Sequence, residues 1–102
     1  MKESDWKQFK IIKEGALESF CQRILEQANA IINKESEGFH DRYLALYRHI
    51  DKNNEDIATA FNGHSRSNAL MQLRCMRNFD LVSNEAISKL SPETQKASNP
   101  DY

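Results

Sequence analysis

Residues 64–76, HSRSNALMQLRCM, set a histidine, two serines, two arginines and a cysteine on an apolar helical pattern with no acidic residue among them. Two chemistries fit this stretch. In the first, Ser65 is the N-cap of a helix running from Arg66 to Asn78, and Ala69, Leu70, Leu73 and Met76 enter a core. Arg66 and Arg77 then sit at the helix ends, where long stems carry charged heads out to water. In the second, the free N–H groups of residues 66–68, the hydroxyls of Ser65 and Ser67 and the Arg66 guanidinium cradle a phosphate or carboxylate. Arg74 and Arg77 would add charge, and protonated His64 a further donor. Almost any S-R-S helix start offers the second geometry. The capped core helix is therefore the leading reading, and His64, Ser65, Arg66, Ser67, Arg74 and Arg77 are the candidate anion site.

Other chemistry-bearing residues are spaced unfavourably. His40, His49 and His64 match no H-E-x-x-H or C-x-x-C pattern. Cys21 falls on an apolar helix face, as a buried inert thiol does. Cys75 is flanked by Arg74 and Arg77, which favour a thiolate, yet no histidine or carboxylate neighbours it in sequence. No glycine-rich phosphate loop occurs. The sequence thus offers no catalytic set, no metal ligands and no cofactor motif. Tyr43 and Tyr47, with Arg42 and Arg48 beside them, have the types that stack on a base. Their i, i+4 spacing on one helix face makes core packing the expected role.

The elements that position these groups are helical. Among 102 residues there are 3 Gly and 2 Pro, and valine occurs only at Val82. Such a composition leaves few turns and few strand formers. A chain of this length is one domain by default. The net charge of −1 gives no long-range field for nucleic acid or an anionic membrane. The charged start MKESDWKQFK lacks the apolar core of a signal peptide, and no apolar run approaches the roughly 18 residues a membrane span needs. Two unpaired-looking cysteines fit a reducing compartment, so a cytoplasmic setting is expected.

Ser4 predicts the cap of a long first helix from Asp5, with Trp6, Phe9, Leu17, Phe20, Cys21, Ile24, Ala28 and Ile31 on one face. Leu25 and Ile32 widen that face on one side, and Ala16 on the other. The break at residues 33–39 leads to a second helix, on which Phe39, Tyr43, Tyr47, Ile50, Ile57, Ala58 and Phe61 share a phase. Polar residues 51–56 argue for a break, but the phase is the same on both sides, so one long helix is expected. Asn62-Gly63 stops it. Ser83 and Ser91-Pro92 then start two short helices. The expected fold is all-α, with four or five helices. A long N-terminal helical hairpin is crossed by shorter C-terminal helices, in one domain over residues 1–97 with a frayed tail at 98–102.

Met71 and Cys75 lie opposite Leu70 and Leu73, so the third helix is apolar on two sides. With Leu25 and Ile32 they form the candidate interface. A first helix of about 29 residues would be ~43 Å long, beyond the ~26 Å diameter of a compact domain of this size. The overhang needs cover, which a symmetric dimer supplies. The expected function is a non-enzymatic interaction protein that self-associates or binds another protein. The alternative is a nucleic-acid or anion-binding module on Arg66, Arg74 and Arg77, with Lys7, Lys10 and Lys13. Residues 69–90 also read as helix, turn, helix, but the second helix holds one acid and one base and so attracts no phosphate on balance.

The order of FHDRYLALYRHI, HSRSNALMQLRCM and LVSNEAISKLSPET resembles a group of small uncharacterised bacterial proteins, over residues 6–95. The resemblance implies an all-helical fold and a bacterial cytoplasmic setting. It implies no activity and transfers no functional residue.

Overall fold

A computed structural model describes all 102 residues. The chain forms five helices: α1 (Glu3–Ile32), α2 (Phe39–Phe61), α3 (Arg66–Asn78), α4 (Asn84–Ser88) and α5 (Pro92–Ala97). There is no strand. The molecule measures 52 × 24 × 23 Å, with a radius of gyration of 16.3 Å. A compact domain of this length would have a radius nearer ~13 Å. The excess comes from the α1–α2 hairpin, which runs past the core.

α1 begins at Glu3 and not, as its serine suggests, after Ser4; Lys2 takes the cap position without a side-chain bond. Glu3 and Asp5 instead supply first-turn acids, which suit the positive end of the helix. α2 is unbroken through its polar middle. Asn53 bonds back to the His49 carbonyl at 2.7 Å, satisfying its amide inside the helix. Gly63 ends the segment with φ +78°, a conformation natural to glycine. Ser83 and Ser91 cap α4 and α5 by accepting from the backbone N–H groups of Ala86 and Thr94. Ser65 occupies the α3 cap position but its hydroxyl meets Ser67 at 3.1 Å and caps nothing.

The core is one cluster: Phe9, Ile12, Ala16 and Phe20 from α1; Ala60 and Phe61 from α2; Ala69, Leu73 and Met76 from α3; and Leu90. Its centre on α1 differs from the expected arc. Ile12 is buried and Leu17 lies towards solvent, because α3 and α4 cover the Ala16 side. The far half of the hairpin has no third layer. There α1 from Ile24 onward pairs with the first half of α2, tied by His49 to the Ile24 carbonyl and by Arg42 to the Ile32 carbonyl, forming a two-helix arm. The tail differs too. Ser98 is fully buried, and the Tyr102 carbonyl accepts from Arg74 at 2.7 Å, so the fold extends past residue 97.

α2 also turns differently. Its side chains nearest α1 include His49, Asn53, Ile57 and Ala60, a face rotated by about 80° from the predicted aromatic stripe at 100° per residue. Tyr43 and Tyr47 are consequently 67% and 62% exposed, not core residues. His49 holds the hairpin instead. Its Nε2–H donates to the Ile24 carbonyl at 3.0 Å, and its Nδ1 accepts from Asn53 at 3.2 Å. Arg42 closes the tip by donating to the Ile32 carbonyl at 2.8 Å.

Candidate functional site

The candidate anion residues do not converge on a ligand. His64 packs on Trp6, with ring centroids 4.8 Å apart and the planes tilted by 36°. Arg66 pairs with Glu3 and lies 5.5 Å from the Trp6 ring. That guanidinium holds the Glu3 carboxyl below the usual range. Ser65 and Ser67 bond to each other. Arg74 reaches the C-terminal residue, and Arg77 donates to the Gln95 carbonyl at 2.7 Å and to the Ser98 hydroxyl at 2.9 Å. These arginines tie elements together, and the acceptors of Arg74 and Arg77 include the Tyr102 and Gln95 backbone carbonyls, which a sequence does not display.

Arg77→Ala should therefore act on stability. Removing a charged donor from the half-buried Gln95 carbonyl and the fully buried Ser98 hydroxyl costs about 1–3 kcal/mol. In a domain of this size that lowers Tm by several degrees, about 4–8 °C per kcal/mol. The check is a thermal melt beside heparin chromatography at low salt. A loss of retention at unchanged Tm would restore the anion-site reading.

Lys13 shows the same pattern at the α2–α3 junction. Its ammonium donates to the Gly63 carbonyl at 2.7 Å and to Gln72 Oε1 at 3.0 Å. Burial pushes it below the usual lysine range. Gln72, itself buried, donates on to the Asn62 carbonyl at 2.7 Å. The cluster fixes the loop that turns the chain into α3. No three histidine, cysteine or acidic side chains lie close enough to hold a metal ion. No helix is long and apolar enough to cross a membrane.

The interface candidates separate into two places. Met71 is half exposed on α3, in the body, while Cys75 packs against the core cluster. Leu25 and Ile32 are 68% and 50% exposed on the arm, and there they are joined by residues that sequence reasoning had put in the core. Phe39, Tyr43, Tyr47 and Ile50 are all exposed, at spacings of four, four and three residues, so they form one stripe of α2. The stripe borders the α1 residues directly. A shallow apolar groove of about 220 Å³ is lined by Cys21, Ile24 and Leu25 from one helix and Ile50, Asn53, Asn54 and Ile57 from the other. Arg42 lies 4.5 Å from the centre of the Phe39 ring and supports it at the tip. Phe39, Tyr43, Tyr47 and Ile50 neither belong to the core cluster nor pack against it, so the body does not shade this stripe.

Six large apolar side chains on one two-helix surface is an unusual exposure for a chain of this size. Single exposed hydrophobes need no explanation, but a contiguous patch of several hundred Å² marks a contact surface. A catalytic pocket would be concave, with polar groups converging on it. The arm face is long and shallow, suited to laying helix against helix.

No family model matches the chain, and no curated protein or solved structure is significantly similar to it.

Proposed function

We propose that the protein is a non-enzymatic interaction module whose working surface is the apolar face of the α1–α2 arm. The observation that carries this is the continuous exposure of Leu25, Ile32, Phe39, Tyr43, Tyr47 and Ile50 on a hairpin that overhangs its own core. Aromatic side chains supply large contact area at low entropic cost, and tyrosine is enriched where one end of a residue is covered and the other stays wet. The division of labour is simple. The body, cross-braced by α3 to α5, anchors the base of the hairpin, and the arm offers the contact. A bacterial cytoplasmic setting belongs to the same proposal and rests on the resemblance over residues 6–95 and on the composition.

The test is a photo-crosslinking amino acid placed at Tyr43 in the full chain, irradiated in cells. Covalent adducts that vanish when Tyr47 is also changed to Glu are the expected result. An arm that yields no adduct overturns the reading. The anion-binding alternative has less behind it, because each of its arginines already has an intramolecular partner.

A further inference from the structure

We infer that the partner of the arm is a second copy of this chain, docked arm on arm as a four-helix bundle. This inference rests on the interaction reading above and gives it an occupant. Its first support is the spacing. On α2, Tyr43, Tyr47, Ile50, Asn54, Ile57 and Phe61 follow one another at intervals of four, three, four, three and four residues. On α1, Cys21, Leu25, Ala28 and Ile32 follow at four, three and four. Both are heptad seams, the pattern of helices that pack at a shallow angle through knobs and holes. The structure uses only part of these seams within one copy. Ile57 and Phe61 turn into the core, whereas Tyr43, Tyr47, Ile50, Leu25 and Ile32 remain uncovered. Two antiparallel helices with half-used heptad seams are half of a four-helix bundle. A second identical hairpin is the simplest complement, and a two-fold contact closes without generating a filament.

The second support is area. The six exposed side chains of the arm together present on the order of 800 Å², which is what one partner contributes to a standard stable interface. The groove between Leu25 and Ile50 has room for one large side chain and would act as the hole for a knob from the other copy. The third is Asn54. It is an exposed residue on the groove wall and the one polar residue of the α2 seam between Tyr43 and Phe61. A single asparagine at such a position penalises every register in which its amide is buried alone, and so selects one pairing. The copies therefore meet through an apolar centre with one polar marker.

The experiment is light scattering of the full chain from about 1 to 200 µM, at low and high salt, paired with the mass of the Tyr43 crosslinked adduct. The expected result is about twice 11.8 kDa at both salts, with an adduct of the same doubled mass. Tyr47→Glu, and independently Leu25→Lys, should each return the mass to that of one chain while far-UV circular dichroism stays helical. A wild-type chain that stays monomeric throughout overturns the second copy. If its crosslinker still captures a different chain, the interaction reading survives; if it captures nothing, both fall. Dissociation by Met71→Asp, with Tyr47→Glu still dimeric, would move the contact to α3 and overturn the inference as well.

Discussion

Phe9→Ala lowers the free energy of unfolding by about 3–5 kcal/mol, the usual range for deleting a fully buried aromatic ring. The argument starts from how little core there is. Only 15 of 102 residues are buried, and ten of them make one cluster at the body end. A domain of this length holds about 5–15 kcal/mol in all, so a single core truncation removes a large share. Phe9 is completely enclosed and central to an aromatic group. It stacks on Trp6 at 5.7 Å and on His64 at 6.4 Å, with the Lys13 ammonium 5.9 Å from its ring centre. Its loss leaves a cavity that α1 and α3 close only by moving, and it loosens the loop that Lys13 and His64 hold. Urea unfolding measures this as a lower midpoint at nearly constant slope. Tyr43→Ala is the matching control on the arm. Tyr43 is 67% exposed, so in a monomer its removal shifts the midpoint little. Equal costs at the two positions would mean that the arm belongs to the folding core.

The contrast between those two aromatic positions shows what a sequence pattern reveals. Capping signals placed Ser83, Ser91 and Pro92 at the starts of the two short helices, because caps are local and their partners lie three residues away, and periodicity located the three longer helices. It also marked Phe39, Tyr43, Tyr47 and Ile50 as one stripe. It could not say what covers the stripe, since an apolar face reads the same whether its neighbour is the same chain, another copy or water. The inward face of α2 in the arm is partly polar. His49 and Asn53 face α1 there, satisfied by the Ile24 carbonyl and by each other. A rule that sends hydrophobes inward therefore rotates the helix the wrong way. The candidate anion residues failed for a related reason. Arg74 and Arg77 find carbonyls 28 and 18 residues away, and Arg23 does likewise with Phe79 and Asp80 after α3. Basic residues without nearby acids looked free in the sequence, yet in the fold they bind carbonyls at the C-terminal end of α3, within α5 and at Tyr102.

Asp5 is the largest omission of that kind, and Asp5→Ala gives the second major effect, a loss of about 2–4 kcal/mol at neutral pH. Its carboxylate is nearly fully buried and has no paired cation in direct contact. It accepts from the Ser91 N–H at 2.8 Å, the Ser91 hydroxyl at 2.6 Å and the Thr94 hydroxyl at 2.7 Å. Those donors belong to the first turn of α5, so one carboxylate from α1 pins the last helix across 86 to 89 residues of chain. Hydrogen bonds to a charged acceptor are worth about 1.5–3 kcal/mol, and alanine leaves three donors without their acceptor. Burial alone would raise the pKa of Asp5, but the bonds from Ser91 and Thr94, helped by Lys2, outweigh it and hold the carboxyl below its ordinary value of 3.8. A depressed folded pKa means the folded state binds its proton less readily than the unfolded chain does. The stabilisation is then complete well above pH 4 and drains away as pH falls through the unfolded and then the folded value. Wild-type protein should lose stability steeply below about pH 4, whereas Asp5→Ala, already lacking that contribution, should show a shallower slope there. Urea midpoints at pH 7, 5, 4 and 3 measure both the offset and the slope. Parallel pH curves for the two proteins would show that the Asp5 charge does not hold α5.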